Sequence, residues 1–344
     1  MLDQQLEQAL TDEVRCARQG LPAPTPSPPV RARTVSHGRR APVAVVPRSS
    51  PTRLQETVEP PPAPIDGRLD IAGHARRVQE LVRLGRLHEA DLHLAAHAFL
   101  AGETGTPADR RDAAAWATMR ALADGREADA RAGADRVLAL GREAGDPDAW
   151  HRYLIVRYRV VSEWGSEDER DELLDLCRAR AYWFDELSWR GALTLLLARL
   201  GKAGEAAREF DTTTSRCLAA GPRREAWLDV TTDLAEAVAV LGDPARASVA
   251  ASSFGWPATG MVVAGRAEVC KGAIDRYRAL AAAATGDRDQ SDRHFRAATE
   301  ATRRLGAPLL LARVLEEWGH SLAGRDSARA SALLEESAQL ACAG

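Results

Sequence analysis

The 344-residue chain has no apolar run of the roughly 18 residues that a membrane-spanning helix needs, which excludes a helical membrane span. Aromatic residues make up only 5% of it, while alanine is abundant; this suits helices and not a β-sandwich. The five cysteines (Cys16, Cys177, Cys217, Cys270 and Cys342) are odd in number and have no paired spacing. That argues against a disulfide frame or a zinc site, and for reduced thiols in the cytoplasm. Lysine is nearly missing: Lys202 and Lys271 stand alone among 46 basic residues, which reads as coding bias. A net charge of −3 gives no global pull toward nucleic acid or an anionic membrane. The acidic start lacks the apolar core of a signal peptide, and the stretch after Arg39-Arg40 is too short and proline-broken for twin-arginine export.

Chemical motifs are also missing. There is no Gly-x-Ser-x-Gly elbow and no glycine-rich dinucleotide loop. Gly201-Lys202 is followed by Ala203 and has no upstream glycine at phosphate-loop spacing. His88 and His93 lie about 140° apart on a helix and so cannot share a metal. His93 and His97 have i, i+4 spacing but no third ligand in sequence. The acidic run at 167–172 sits behind Ser166, where carboxylates favour the positive end of a helix dipole. The reading is a chain with no catalytic residues, no metal and no cofactor.

What is present is helix. Residues 262–306 read as two long antiparallel arms joined at Thr285-Gly286-Asp287. Phe295, Ala298, Thr302 and Leu305 form one stripe of the second arm; Ile274, Tyr277, Ala281 and Ala284 form a matching stripe on the first. Gly286 suits a left-handed helix end, and Asp287 an N-cap. Such a hairpin cannot bury its apolar face alone and needs neighbours. Gly85, Gly125, Gly165, Gly201, Gly242, Gly286 and Gly324 recur every 36–44 residues, the mark of an α-solenoid. Helix starts are legible at Thr106-Pro107, Asp146-Pro147 and Asp243-Pro244, at the capping-box pair Ser166/Glu169, and at Pro222 and Pro308. The stretch Phe254-Gly255-Trp256-Pro257 cannot be regular helix. It is read as a connection with Trp256 plugging the core, or as a binding loop. The eight tryptophans read as core before they read as a sugar or peptide groove.

The N-terminal part differs. Residues 1–19 carry Leu2, Leu6, Leu10 and Val14 at helical steps and predict one short helix. Residues 20–66 hold twelve of the 18 prolines, with six arginines and no acid between Arg31 and Arg53. That composition predicts a disordered linker, read as a solvated tether before a basic arm for nucleic acid.

Leu200-Gly201 with Ala207 and Phe210, and Gly286 with Phe295 and Ala298, resemble the tetratricopeptide pattern. Val262-Val263-Ala264-Gly265, Gly272-Ala273-Ile274-Asp275-Arg276-Tyr277, His294-Phe295 and Leu305-Gly306-Ala307 look like a block of large bacterial signalling proteins. It is similar to the C-terminal helical regions of LuxR-type ATP-binding regulators and adenylate-cyclase-associated ATPases. The resemblance covers roughly residues 110–342, but the phosphate-binding loop and the closing helix-turn-helix of those families are missing.

The expectation is an all-α chain: a short helix (1–19), a Pro/Arg-rich linker (20–66), and a solenoid of about seven tetratricopeptide-like hairpins (67–344). The resemblance implies a non-catalytic adaptor or sensor in transcriptional or signalling control, with a protein or peptide on the concave face. Carried-over groove positions are Lys202, Glu205, Arg276, Asp287 and Gln290. One alternative is a small-molecule sensor controlling a separate ATPase or DNA-binding partner. The other is a nucleic-acid binder acting through the basic arm, although direct DNA contact is not expected of the helical part.

Overall fold

The computed structural model describes residues 69–183, 185–221 and 227–342. The expected helix at 1–19, the linker at 20–66 and the helix start at Pro222 lie outside the described residues. Among those described, fourteen helices follow one another: α1 (Ile71–Arg83), α2 (Leu87–Glu103), α3 (Pro107–Asp124), α4 (Glu127–Glu143), α5 (Ala149–Trp164), α6 (Glu167–Tyr182), α7 (Leu187–Arg199), α8 (Ala203–Ala220), α9 (Trp227–Leu241), α10 (Pro244–Ser253), α11 (Ile274–Thr285), α12 (Arg288–Leu305), α13 (Pro308–Leu322) and α14 (Ser327–Cys342). Between α10 and α11 lie two strands, β1 (Met261–Ala264) and β2 (Val269–Ala273). No helix among the described residues is long and apolar enough to cross a membrane.

Local signals decide most boundaries. Thr106 and Ser166 each form a full capping box, with Asp109 and Glu169. Asp243 and Asp287 cap α10 and α12 by accepting from Arg246 N and Gln290 N. Each of the seven expected turn glycines falls between the two helices of one pair, from α1/α2 to α13/α14. Gly85, Gly125, Gly201, Gly242 and Gly286 have φ between +63° and +85°, which a side chain would strain. Gly165 instead leaves α5 in extended backbone, and Gly324 is not left-handed. The start at Asp146-Pro147 is displaced: Asp146 Oδ1 accepts from Asp148 N at 3.0 Å, so a turn precedes α5, which begins at Ala149.

The largest correction concerns 262–306. Its first arm is helical only from Ile274; the residues before it form the antiparallel β1–β2 hairpin, with Met261 opposite Ala273 and Val263 opposite Cys270. Val262, Val263 and Val269 favour a pleated strand over a helix. Gly265 (φ +61°), Ala267 (φ +68°) and Gly272 (φ +95°) hold backbone that no α-helix contains. The second arm is as expected: Phe295, Ala298, Thr302 and Leu305 are all buried, as are Ile274, Tyr277 and Ala281 on the first.

The ends of the helical run meet. Leu81 of α1, Trp116 of α3, Ala267 in the hairpin turn, Phe295 of α12 and Trp318 of α13 belong to one apolar cluster. Trp116 Nε1 donates to Arg266 O at 3.0 Å, Arg120 Nη1 donates to Gly306 O at 2.9 Å, and Arg313 of α13 pairs with Glu163 of α5. Gly306 allows this approach: its φ is +72°, and a Cβ there would lie 2.6 Å from His88 Nε2. Helices in an open repeat array touch only their neighbours; here α3 packs on α13, and the hairpin packs on α1, α3, α5 and α9.

Candidate ligand cavity

The β-hairpin lies against the first helices of the pairs, and it encloses a cavity of about 690 Å³ with α5, α7 and α9. Two pairs of charges anchor it. Lys271 of β2 donates through Nζ to Asp229 Oδ1 (2.8 Å), Asp229 O (3.2 Å) and Asp233 Oδ1 (2.5 Å) on α9. Asp229 and Asp233 are one helical turn apart, so both carboxylates share a face. At the turn, Glu268 accepts from Arg152 Nη1 of α5 at 2.5 Å, and Arg152 Nε lies 3.2 Å from Asp146. Gly265 makes room for this pair, since a Cβ there would lie 1.9 Å from Glu268 Oε2.

Burial sets the protonation of these groups. It pushes the Asp233 carboxyl up to about 6, with Lys271 offsetting only part of the effect. Glu268 is likewise raised by burial against the opposing pull of Arg152. Burial works against the Lys271 ammonium, yet Asp229 and Asp233 together hold it above the ordinary lysine range.

His151 of α5 faces the same cavity. Burial, helped by the Arg180 guanidinium, lowers its imidazole to about 4. Arg180 Nη2 lies 2.8 Å from His151 Nδ1, and Trp189 Nε1 lies 3.4 Å from it. Glu186 Oε2 also lies 3.5 Å away, but the nearer Arg180 can only donate, so Nδ1 accepts and the ring hydrogen is assigned to Nε2. A pH dependence follows. The folded chain holds His151 neutral while the unfolded chain protonates it near 6.5, so stability is lost as pH falls from about 6.5 towards about 4. In His151→Asn the amide oxygen replaces Nδ1 as acceptor and the titration is removed. Melting temperatures across that range should show the wild type losing ground to the variant; a constant difference would mean that His151 titrates normally.

Other wall residues supply apolar contact and shape. Tyr158 donates its hydroxyl to Ala192 O at 3.0 Å, and the Trp189 ring meets Tyr158 edge-on. The irregular stretch after α10 has Trp256 packed inward and its next residues on the cavity wall. Trp256 packs on Phe254 and donates to Thr231 Oγ1 at 2.9 Å, while Pro257, Thr259 and Gly260 line the cavity.

None of the five carried-over groove residues lines this cavity. Lys202 is exposed just before α8, and Glu205 pairs with Arg178 at 2.8 Å. Asp287 and Gln290 come together only as the cap of α12. Arg276 is 2% exposed and bound to Glu236 and Glu317. His93 meets His74, Nδ1 to Nδ1, at 3.0 Å, whereas His97 turns inward onto Trp116, so the two do not converge. Among the described residues, no three His, Cys, Asp or Glu side chains are grouped to hold a metal. The cavity residues had two signals in the sequence: acids on the otherwise apolar run of α9, and Lys271 as one of two lysines.

No protein family, curated protein or solved structure matches the chain.

Proposed function

We propose that this chain is a non-catalytic sensor module that binds a small polar molecule in the cavity beneath the β-hairpin and signals its presence to a protein partner. The carrying observation is the cavity itself: about 690 Å³, within the range of small-ligand sites, with shifted titratable groups on its wall. His151 is hydrogen-bonded by Arg180 and Trp189 rather than by a hydroxyl or thiol, an arrangement suited to binding and not to activating a nucleophile.

The seven helix pairs, with turn glycines and the Gly286 hairpin, support reading the helical part as tetratricopeptide-like repeats wound so that the first helices face inward. In that reading the hairpin occupies inner surface that an extended peptide would otherwise use, which favours a small ligand over a peptide there. The resemblance to LuxR-type and cyclase-associated regulators supports reading the module as part of bacterial signalling or transcriptional control. The hairpin packs on α1 and α3 and on α11 and α12, so a ligand beneath it bears on the contact between the two ends of the described helical run. Thermal denaturation of the full chain against a panel of polar metabolites tests the proposal. A saturable rise in melting temperature, abolished by a bulky substitution such as Ala192→Trp in the cavity wall, is expected. No shift from any compound would overturn it.

A further inference from the structure

The cavity wall carries charges of both signs, and two of its clusters are unbalanced in opposite senses. On α9, Asp229 and Asp233 share the single ammonium of Lys271, which leaves one negative charge in excess. On α5, Arg159 lines the cavity and is 6% exposed. Its Nη2 lies 3.1 Å from Glu163 Oε1, and that same oxygen also pairs with Arg313. Two guanidinium groups therefore share one carboxylate, and the buried Arg159 Nη2 makes no aligned hydrogen bond even to Glu163. A buried donor of this kind is costly unless something binds it. Trp189 and Tyr158 add apolar wall between polar groups.

We infer that the ligand is a zwitterion of amino-acid or short-peptide size, its ammonium held by Asp229 and Asp233 and its carboxylate by Arg159. The inference rests on the sensor reading and narrows it. A ligand that is only an anion would face the excess carboxylate on α9, and one that is only a cation would face Arg159; each is penalised by like charge. A zwitterion balances both ends and gives Arg159 a carboxylate that it need not share with Arg313. The volume of about 690 Å³ exceeds what one small amino acid fills, so a large side chain or a second residue fits better than glycine.

The test is titration calorimetry of the full chain with the proteinogenic L-amino acids and their dipeptides. Each is compared with its decarboxylated amine and its N-acetyl acid. At least one zwitterion should bind while both truncated forms do not. Asp229→Asn and Arg159→Met should each weaken that binding by about 10–100-fold, the loss of one charged hydrogen-bond set. If Arg159→Met does not fold by circular dichroism, the comparison of whole and truncated ligands on the wild type decides alone. Equal binding of a truncated form, or binding indifferent to both substitutions in folded protein, overturns the zwitterion. If only other polar compounds bind, the zwitterion fails and the sensor reading stands; if none binds, both fail.

Discussion

Arg276→Met is expected to lower the free energy of unfolding by about 3–5 kcal/mol, because it removes a buried cation shared by buried Glu236 and leaves the partly buried Glu317 without one. Arg276 Nη1 donates to Glu236 Oε2 at 2.8 Å, and Nε and Nη2 donate to the two oxygens of Glu317 at 2.8 and 2.5 Å. Its guanidinium also stands 4.9 Å from the Tyr277 ring centroid. Glu236 keeps a second partner in Arg199, but Glu317 pairs with no other cation among the described residues. Glu317→Leu combined with Arg276→Met removes both charges and should recover most of the loss. Urea unfolding of the two variants measures this. A single-mutant cost under about 1 kcal/mol would mean that the pair is solvated and contributes as a surface ion pair does. Unchanged stability with loss of a bound partner would instead return Arg276 to a groove role.

Phe295→Ala should cost a similar amount, about 3–5 kcal/mol, through lost burial and the cavity left behind. Phe295 is 0% exposed and stacks on Trp318 with ring planes 13° apart and centroids 6.2 Å apart. Its cluster includes helices from both ends of the described run, so the hole opens where α1 and α3 meet α12 and α13. The amide protons of α1 and α13 should therefore lose exchange protection together, before those of α7. Loss confined to α12 and α13 would show that the ends do not stabilise each other. Phe295→Leu, which fills more of the space, should cost clearly less.

Both experiments bear on residues that the sequence treats differently. Phe295 is legible because it belongs to a stripe that repeats at 3.6 residues and needs no distant partner to be recognised. Arg276 lies one position from the equally legible Tyr277, yet its role depends on Glu236 and Glu317, each some 40 residues away on other helices. The β-hairpin escaped for a related reason. Val262, Val263 and Ala264 are short and apolar, and a run of that length fits a buried helix as well as a strand. Pairing with β2, and the left-handed residues Gly265, Ala267 and Gly272, decided between the two.

The candidate cavity was less legible than the fold. Asp229 and Asp233 on an apolar helix, and a rare lysine at Lys271, were signals, but none of them says that these residues meet. Arg152 and Glu268 are 116 residues apart, and Arg313 and Glu163 are 150 apart. No local periodicity encodes such pairs.

By itself the sequence determined the helical class, the seven turn positions, most caps and the apolar stripes. Each of these follows from interactions within a few residues, between a capping side chain and an amide or between neighbours one helical turn apart. Only the tertiary structure decided that the ends of the run meet, that a β-hairpin packs on α1, α3, α5 and α9, and that opposite charges face one cavity. Those features depend on which distant faces exclude water together, and burial is a property of the packed chain rather than of any segment of it.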